Sequence, residues 1–194
     1  MRAIRAGDDL SHQPNGEEAL LARLFSGDAF FGGNLRETSV LFCQRHDKLV
    51  LNYLPLILAS LAKSAGFETM FDLVARVGGR RVYLPAASAR FCSQTGVTIP
   101  HAAYKPWRLQ ADANGQIEVP SAWGVYLALR RAAVSYAIAH AWPRDILQVT
   151  FGMSRRQLRS YASSSAPDAI HRDHAASGNC PVSTLTEGGA MTLP

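Results

Sequence analysis

The stretch Pro143-Arg-Asp-Ile-Leu-Gln-Val-Thr-Phe-Gly-Met-Ser-Arg-Arg-Gln-Leu-Arg-Ser-Tyr161 decides how this chain is read. Pro143 suits the first turn of a helix, where the missing N–H has no partner to lose, and Asp145 complements the positive end of the helix dipole. Ile146, Leu147 and Val149 to Phe151 supply apolar side chains to bury. Gly152 can take the left-handed conformation that ends a helix, Met153 can plug the corner, and Ser154 is a good N-cap for the next helix. Leu158 and Tyr161 share one face of that second helix and are expected to pack inward. Arg155, Arg156, Arg159 and Ser160 then point outward, with Gln157 at the margin. Two short helices, a tight turn and arginines on the second helix are the layout of a helix-turn-helix, whose second helix enters a DNA major groove. Arginine there pairs bidentately with guanine or clamps phosphate.

One position departs from that layout. Four residues before Gly152 the two helices cross closely and a small residue is usual, yet here Gln148 stands. An amphipathic helical hairpin with a solvated arginine face would share the rest of the pattern.

Charge placement supports the first reading. The chain has 194 residues, 47% hydrophobic and 18% charged, with a net charge of +5. Between residues 119 and 162 lie Arg130, Arg131, Arg144, Arg155, Arg156 and Arg159 against Asp145 alone, so this segment carries an excess equal to that of the whole chain. Arg130, Arg131 and Arg144 are expected nearer the DNA backbone than the base edges. Cys43, Cys92 and Cys180 are odd in number and far apart, which reads as a reduced protein of the cytoplasm, at the nucleoid if DNA is the partner. The first 16 residues lack the apolar core of a signal peptide, and the longest apolar run, Leu49 to Ala62, is interrupted by Asn52 and Pro55 and too short to span a bilayer. No membrane partner is expected.

Outward from the opening stretch, the pattern predicts a mainly α protein with a small β element. Residues 1–16 and 163–194 read as disordered. Glu17 to Phe25 reads as a short helix and Ser26 to Glu37 as a glycine-rich loop. An apolar helix from about Asp47 ends at Gly66 and is kinked or split by Pro55. Glu68 to Val77 is a further helix, stopped by Gly78-Gly79. Arg80 to Pro85 is a short strand. Ala86 to Gln94 is a candidate helix. Trp107 to Gln110 and Gln116 to Val119 flank Asn114-Gly115 as a candidate β-hairpin. Ser121 caps a long helix to Trp142, with Trp123, Leu127, Val134 and Ile138 as its buried stripe. The expected divisions are 17–85, a linker 86–120, and a helix-turn-helix unit 121–162.

This order resembles the Mor transcription activators of Mu-like phages and mobile elements. The matching residues are Leu54 to Val77 for paired helices, Gly78-Gly-Arg-Arg-Val-Tyr-Leu-Pro85 for the strand, and Asp145 to Tyr161 for the helix-turn-helix, together about half of the chain. The 35 residues between Pro85 and Ser121 exceed the short passage usual in that family. The resemblance implies a homodimer on double-stranded DNA. Its N-terminal helices, through Leu54, Leu58, Phe71 and Val74, form the dimerisation domain, and Val82, Tyr83 and Leu84 pair with the partner's strand. It also implies activation by recruiting RNA polymerase. A protein-interaction subunit or antiactivator that binds a second regulator, with or without DNA, remains an alternative on the same residues.

Other constellations yield less. Gly78-Gly79-Arg80-Arg81 reads as a helix end leading into a strand, since a dinucleotide loop has the opposite order. Tyr104 and Trp107 read as a small core more readily than as a base-stacking pair. His171, Asp173, His174 and Cys180 have ligand chemistry, but the spacing is common by chance and no metal is expected. No nucleophile elbow or carboxylate pair is found, and neither an enzyme nor a cofactor is expected.

Overall fold

The computed structural model describes residues 16–25 and 34–164. The termini expected to be disordered, and the four candidate metal ligands among residues 171–180, lie outside the described residues apart from Gly16, which starts the first helix, and the end of the last helix. The fold is mainly helical with one two-stranded antiparallel sheet. Helices α1 (Gly16–Phe25), α2 (Asn34–Arg45), α3 (Asp47–Tyr53), α4 (Leu56–Ala65) and α5 (Phe67–Val77) precede β1 (Arg81–Tyr83). Then come α6 (Ser88–Thr95), α7 (His101–Arg108), β2 (Gln116–Glu118), α8 (Ala122–Ala139), α9 (Arg144–Phe151) and α10 (Arg155–Ser164).

Proline and glycine set most boundaries. Pro55 splits the apolar run, ending α3 and standing at the N-cap of α4. Gly66 separates α4 from α5, and the two pack side by side through Leu58, Leu61, Met70, Phe71 and Val74. α5 ends at Gly78, whose backbone turns extended at ψ 141°, and only glycine fits there, since a Cβ would lie 2.4 Å from the Val74 carbonyl oxygen. Ser121 accepts the Gly124 N–H and starts α8. The stretch 34–37, expected as loop, is helical.

The expected hairpin does not form. The apolar residues Ala103, Tyr104 and Trp107 recur at helical spacing, and α7 buries them. Tyr104 and Trp107 are almost fully buried, with Phe91 5.6 and 5.8 Å from their rings. Trp107 Nε1 donates to the Ile57 carbonyl at 2.9 Å, and the Tyr104 hydroxyl to that of Pro85 at 2.7 Å. The turn at Asn114-Gly115 does form, as Asp112 Oδ1 accepts the N–H groups of Asn114 and Gln116 at 2.9 Å. These bonds, the Gln116 one first, and the Arg81 guanidinium hold the Asp112 carboxyl below its usual pKa. The strand leaving this turn pairs with β1, Val82 opposite Ile117, and not with 107–110.

A second correction concerns α8. Its buried face is built from Val125, Ala128, Leu129, Ala132, Ala133, Val134 and Ala137, small residues that let α3 approach closely. Trp123 is exposed, and Leu127 and Ile138 are only half-buried. One apolar core runs from Leu20 to Leu158 and crosses both expected divisions. Phe25 of α1 lies 5.4 Å from Phe151 of α9 and 5.7 Å from Tyr126 of α8. His46 donates to Glu17 at 2.6 Å, Arg45 to the other Glu17 oxygen at 2.9 Å, and the His46 ring lies 4.3 Å from Tyr136. This joint ties α1, the α2–α3 junction and α8. Burial, and then the Glu17 carboxylate, push the Tyr136 hydroxyl up in pKa.

Candidate nucleic-acid interface

The helix-turn-helix connection is built as its residues suggest. Pro143 stands at the N-cap of α9, Asp145 lies in its first turn, and Leu147, Thr150 and Phe151 are buried. Gly152 adopts φ 58°, ψ 36°, and its N–H closes on the Gln148 carbonyl, which also accepts from Met153 at 3.3 Å. Met153 is buried in the corner. Ser154 and Gln157 form a reciprocal capping box: the Gln157 N–H donates to Ser154 Oγ at 3.3 Å, and the Ser154 N–H to Gln157 Oε1 at 2.9 Å. Gln157 therefore fastens the start of α10. Leu158 is buried and Tyr161 half-buried, so the inner face is the expected one.

The outer face of α10 carries Arg155, Arg156, Arg159 and Ser160, all exposed. Arg144 at the start of α9 and Arg131 on α8 are exposed too. Among the described residues no carboxylate forms an ion pair with Arg144, Arg155 or Arg156. Within the described residues the charges of Arg144, Arg155 and Arg156 thus face solvent with no carboxylate paired to them, which suits an anionic partner.

Arg130 does not belong to that set. Its guanidinium Nη2 donates to the carbonyl of Phe151, the last residue of α9, and its Nε is buried without a partner among the described residues. The charge sits at the negative end of α9 and holds α8 against it. Arg130 is a structural residue of the unit and not a surface contact.

Helices α9 and α10 and the end of α8 enclose a cleft of about 630 Å³. Ile138, Trp142, Leu147 and Leu158 line its apolar part, and Arg144, Asp145, Arg155 and Arg159 its polar part. Gln148 is half-buried and lines the cleft as well, so it neither swings out to solvent nor disappears into the contact. Trp142 and Ile138 were not expected here. The signal for them is geometric, since the chain folds back at Ala141, with φ 54°, and brings both beside α10.

The residues expected at a dimer interface are mostly used inside the chain. Leu54, Leu58, Phe71, Val74 and Leu84 are buried in its own core. Val82 is half-buried opposite Ile117, and β1 takes β2 of the same chain as its partner. Of that set only Tyr83 is exposed. The stretch between Pro85 and Ser121 supplies β2, so β1 finds its pairing partner within the same chain.

Gly78 to Arg81 joins α5 to the sheet: the Gly79 N–H donates to Val119, and Arg81 pairs with Asp112 at 2.7 Å. Cys43 is fully buried, which pushes its thiol up in pKa. Among the described residues no group of His, Cys, Asp or Glu is arranged to hold a metal ion, and no helix is long and apolar enough to cross a membrane. Comparison with protein-family models, curated proteins and solved structures finds no match.

Proposed function

We propose that the chain is a sequence-specific DNA-binding transcription regulator. It is an activator of the Mor type from a phage or mobile element, acting as a dimer on a promoter repeat and recruiting RNA polymerase. The observation that carries this reading is the outer face of α10, where Arg155, Arg156, Arg159 and Ser160 stand exposed on a helix fixed by a capping box and backed by Leu158. α10 enters the major groove, Arg155 and Arg156 read base edges or clamp adjacent phosphates, and Arg144 and Arg131 meet the backbone. One such module covers too little DNA to be specific, which is why two copies act together. The dimer draws on side chains that the core leaves exposed, such as Tyr83, Leu56 and Leu109.

One observation favours a second reading, a protein-interaction subunit or antiactivator. Trp123 is 65% exposed and stacks on Tyr126 at 5.1 Å, an aromatic anchor of the kind that protein interfaces favour. A gel-shift titration of the full chain against its double variant Arg155→Ala with Arg156→Ala tests the first reading. Affinity is expected to fall with salt, and the variant to lose about 1–3 kcal/mol for each arginine that reads a base. Unchanged affinity and sequence preference would remove it. A stable hetero-oligomer with no DNA affinity at low salt would select the second.

A further inference from the structure

The cleft between α8, α9 and α10 has two chemistries, and a DNA backbone can use only one of them. Its floor is apolar: Leu147 and Leu158 are buried, and Ile138 and Trp142 are half-buried. Its rim carries the exposed guanidinium groups of Arg144 and Arg155, against one acidic residue, Asp145. Phosphates on a stiff duplex meet such a rim without entering the floor. A small anion with an apolar body satisfies both parts. Its carboxylate lies across a guanidinium fork, and its ring or chain lies against Trp142 and Leu147. The volume, about 630 Å³, falls within the range of sites that enclose small organic molecules. Gln148, half-buried, lines the cleft as well and adds an amide to its polar part.

We propose that this cleft binds a small amphipathic carboxylate, aromatic or of medium chain length, and that this ligand competes with DNA phosphate for Arg144 and Arg155. The competition rests on the DNA-binding reading above, whereas the ligand site does not.

Calorimetric titration of the full chain with 2-naphthoate, and with 2-naphthalenemethanol as its neutral match, tests the site. Saturable binding is expected, with the carboxylate tighter by about tenfold or more, the weight of a charge-assisted contact. Arg144→Glu, a surface change, should weaken naphthoate by about tenfold or more, and Ile138→Trp, which fills the floor, should abolish its binding. Lack of saturable naphthoate binding, equal binding of the alcohol, or naphthoate binding unaffected by Arg144→Glu overturns the site, even if Ile138→Trp fails to fold. In a second arm, naphthoate is added to the chain on labelled duplex and is expected to lower its DNA affinity. Naphthoate binding that leaves DNA affinity unchanged overturns the competition. Naphthoate binding by a chain with no DNA affinity removes the DNA-binding reading and the competition together, and leaves the ligand site standing.

Discussion

Arg130 and Arg131 are adjacent, equally charged and indistinguishable by composition, yet they do different things. Arg130 turns inward and bonds the last carbonyl of α9, while Arg131 faces solvent. A hydrogen bond to a charged group is worth about 1.5–3 kcal/mol, whereas a surface substitution away from special features stays within about 0.5 kcal/mol. Arg130→Ala is therefore expected to lower unfolding stability in urea by about 1.5–3 kcal/mol, and Arg131→Ala to leave it nearly unchanged. Equal effects of the two would contradict the assignment. Gln157 makes the same point in reverse: it sits among the outward arginines, but its side chain is engaged with the Ser154 N–H. A recognition surface read from residue types alone includes both of these residues, yet Arg130 is turned inward and Gln157, though exposed, fastens the cap with its amide oxygen.

Elements bounded by strong local signals were legible in the sequence. Pro55, Gly66, Gly78, Ser121 and Gly152 each act within one turn of the residue that carries them, and each marks the start or end of a helix. Pairings set by distant residues were not legible. Asn114-Gly115 forms the turn its type demands, yet β2 joins β1 over 30 residues away, which no local pattern encodes. α7 was hidden because Pro106 lies inside it and because Trp107 suits strands as well as helices. Its place in the core is nonetheless central: Trp107 packs beside Phe91 and Tyr104 and bonds α4 through Ile57. Trp107→Ala is expected to cost about 3–5 kcal/mol, measured by urea denaturation, as for other large aromatic truncations. A loss under about 1 kcal/mol would mean that α7 is a loosely attached arm. The α8 stripe was misread for a related reason, since a search for large apolar residues overlooks a buried face made chiefly of alanine.

At the scale of the molecule, a single core joins the N-terminal helices to the helix-turn-helix, through Phe25 against Phe151 and His46 against Tyr136. Leu54, Leu58, Phe71 and Val74, expected at an interface with a second copy, are buried within the chain, and β2 pairs with β1. The turn, the Ser154 cap and the outward arginines were legible, because each arises from spacing within one short segment, whereas the return bond from Gln157 that completes the capping box was not read. The cleft was not, because it depends on where Ala141 turns the chain. The central claim is that the outer face of α10 reads DNA. Selection of duplexes from a random library by the purified chain tests it most directly, with the Arg155→Ala, Arg156→Ala double variant run in parallel. The expected result is a discrete motif with two-fold symmetry, recovered by the chain and lost or relaxed in the variant. Recovery of no motif at low salt, or of the same motif by both proteins, would contradict the account.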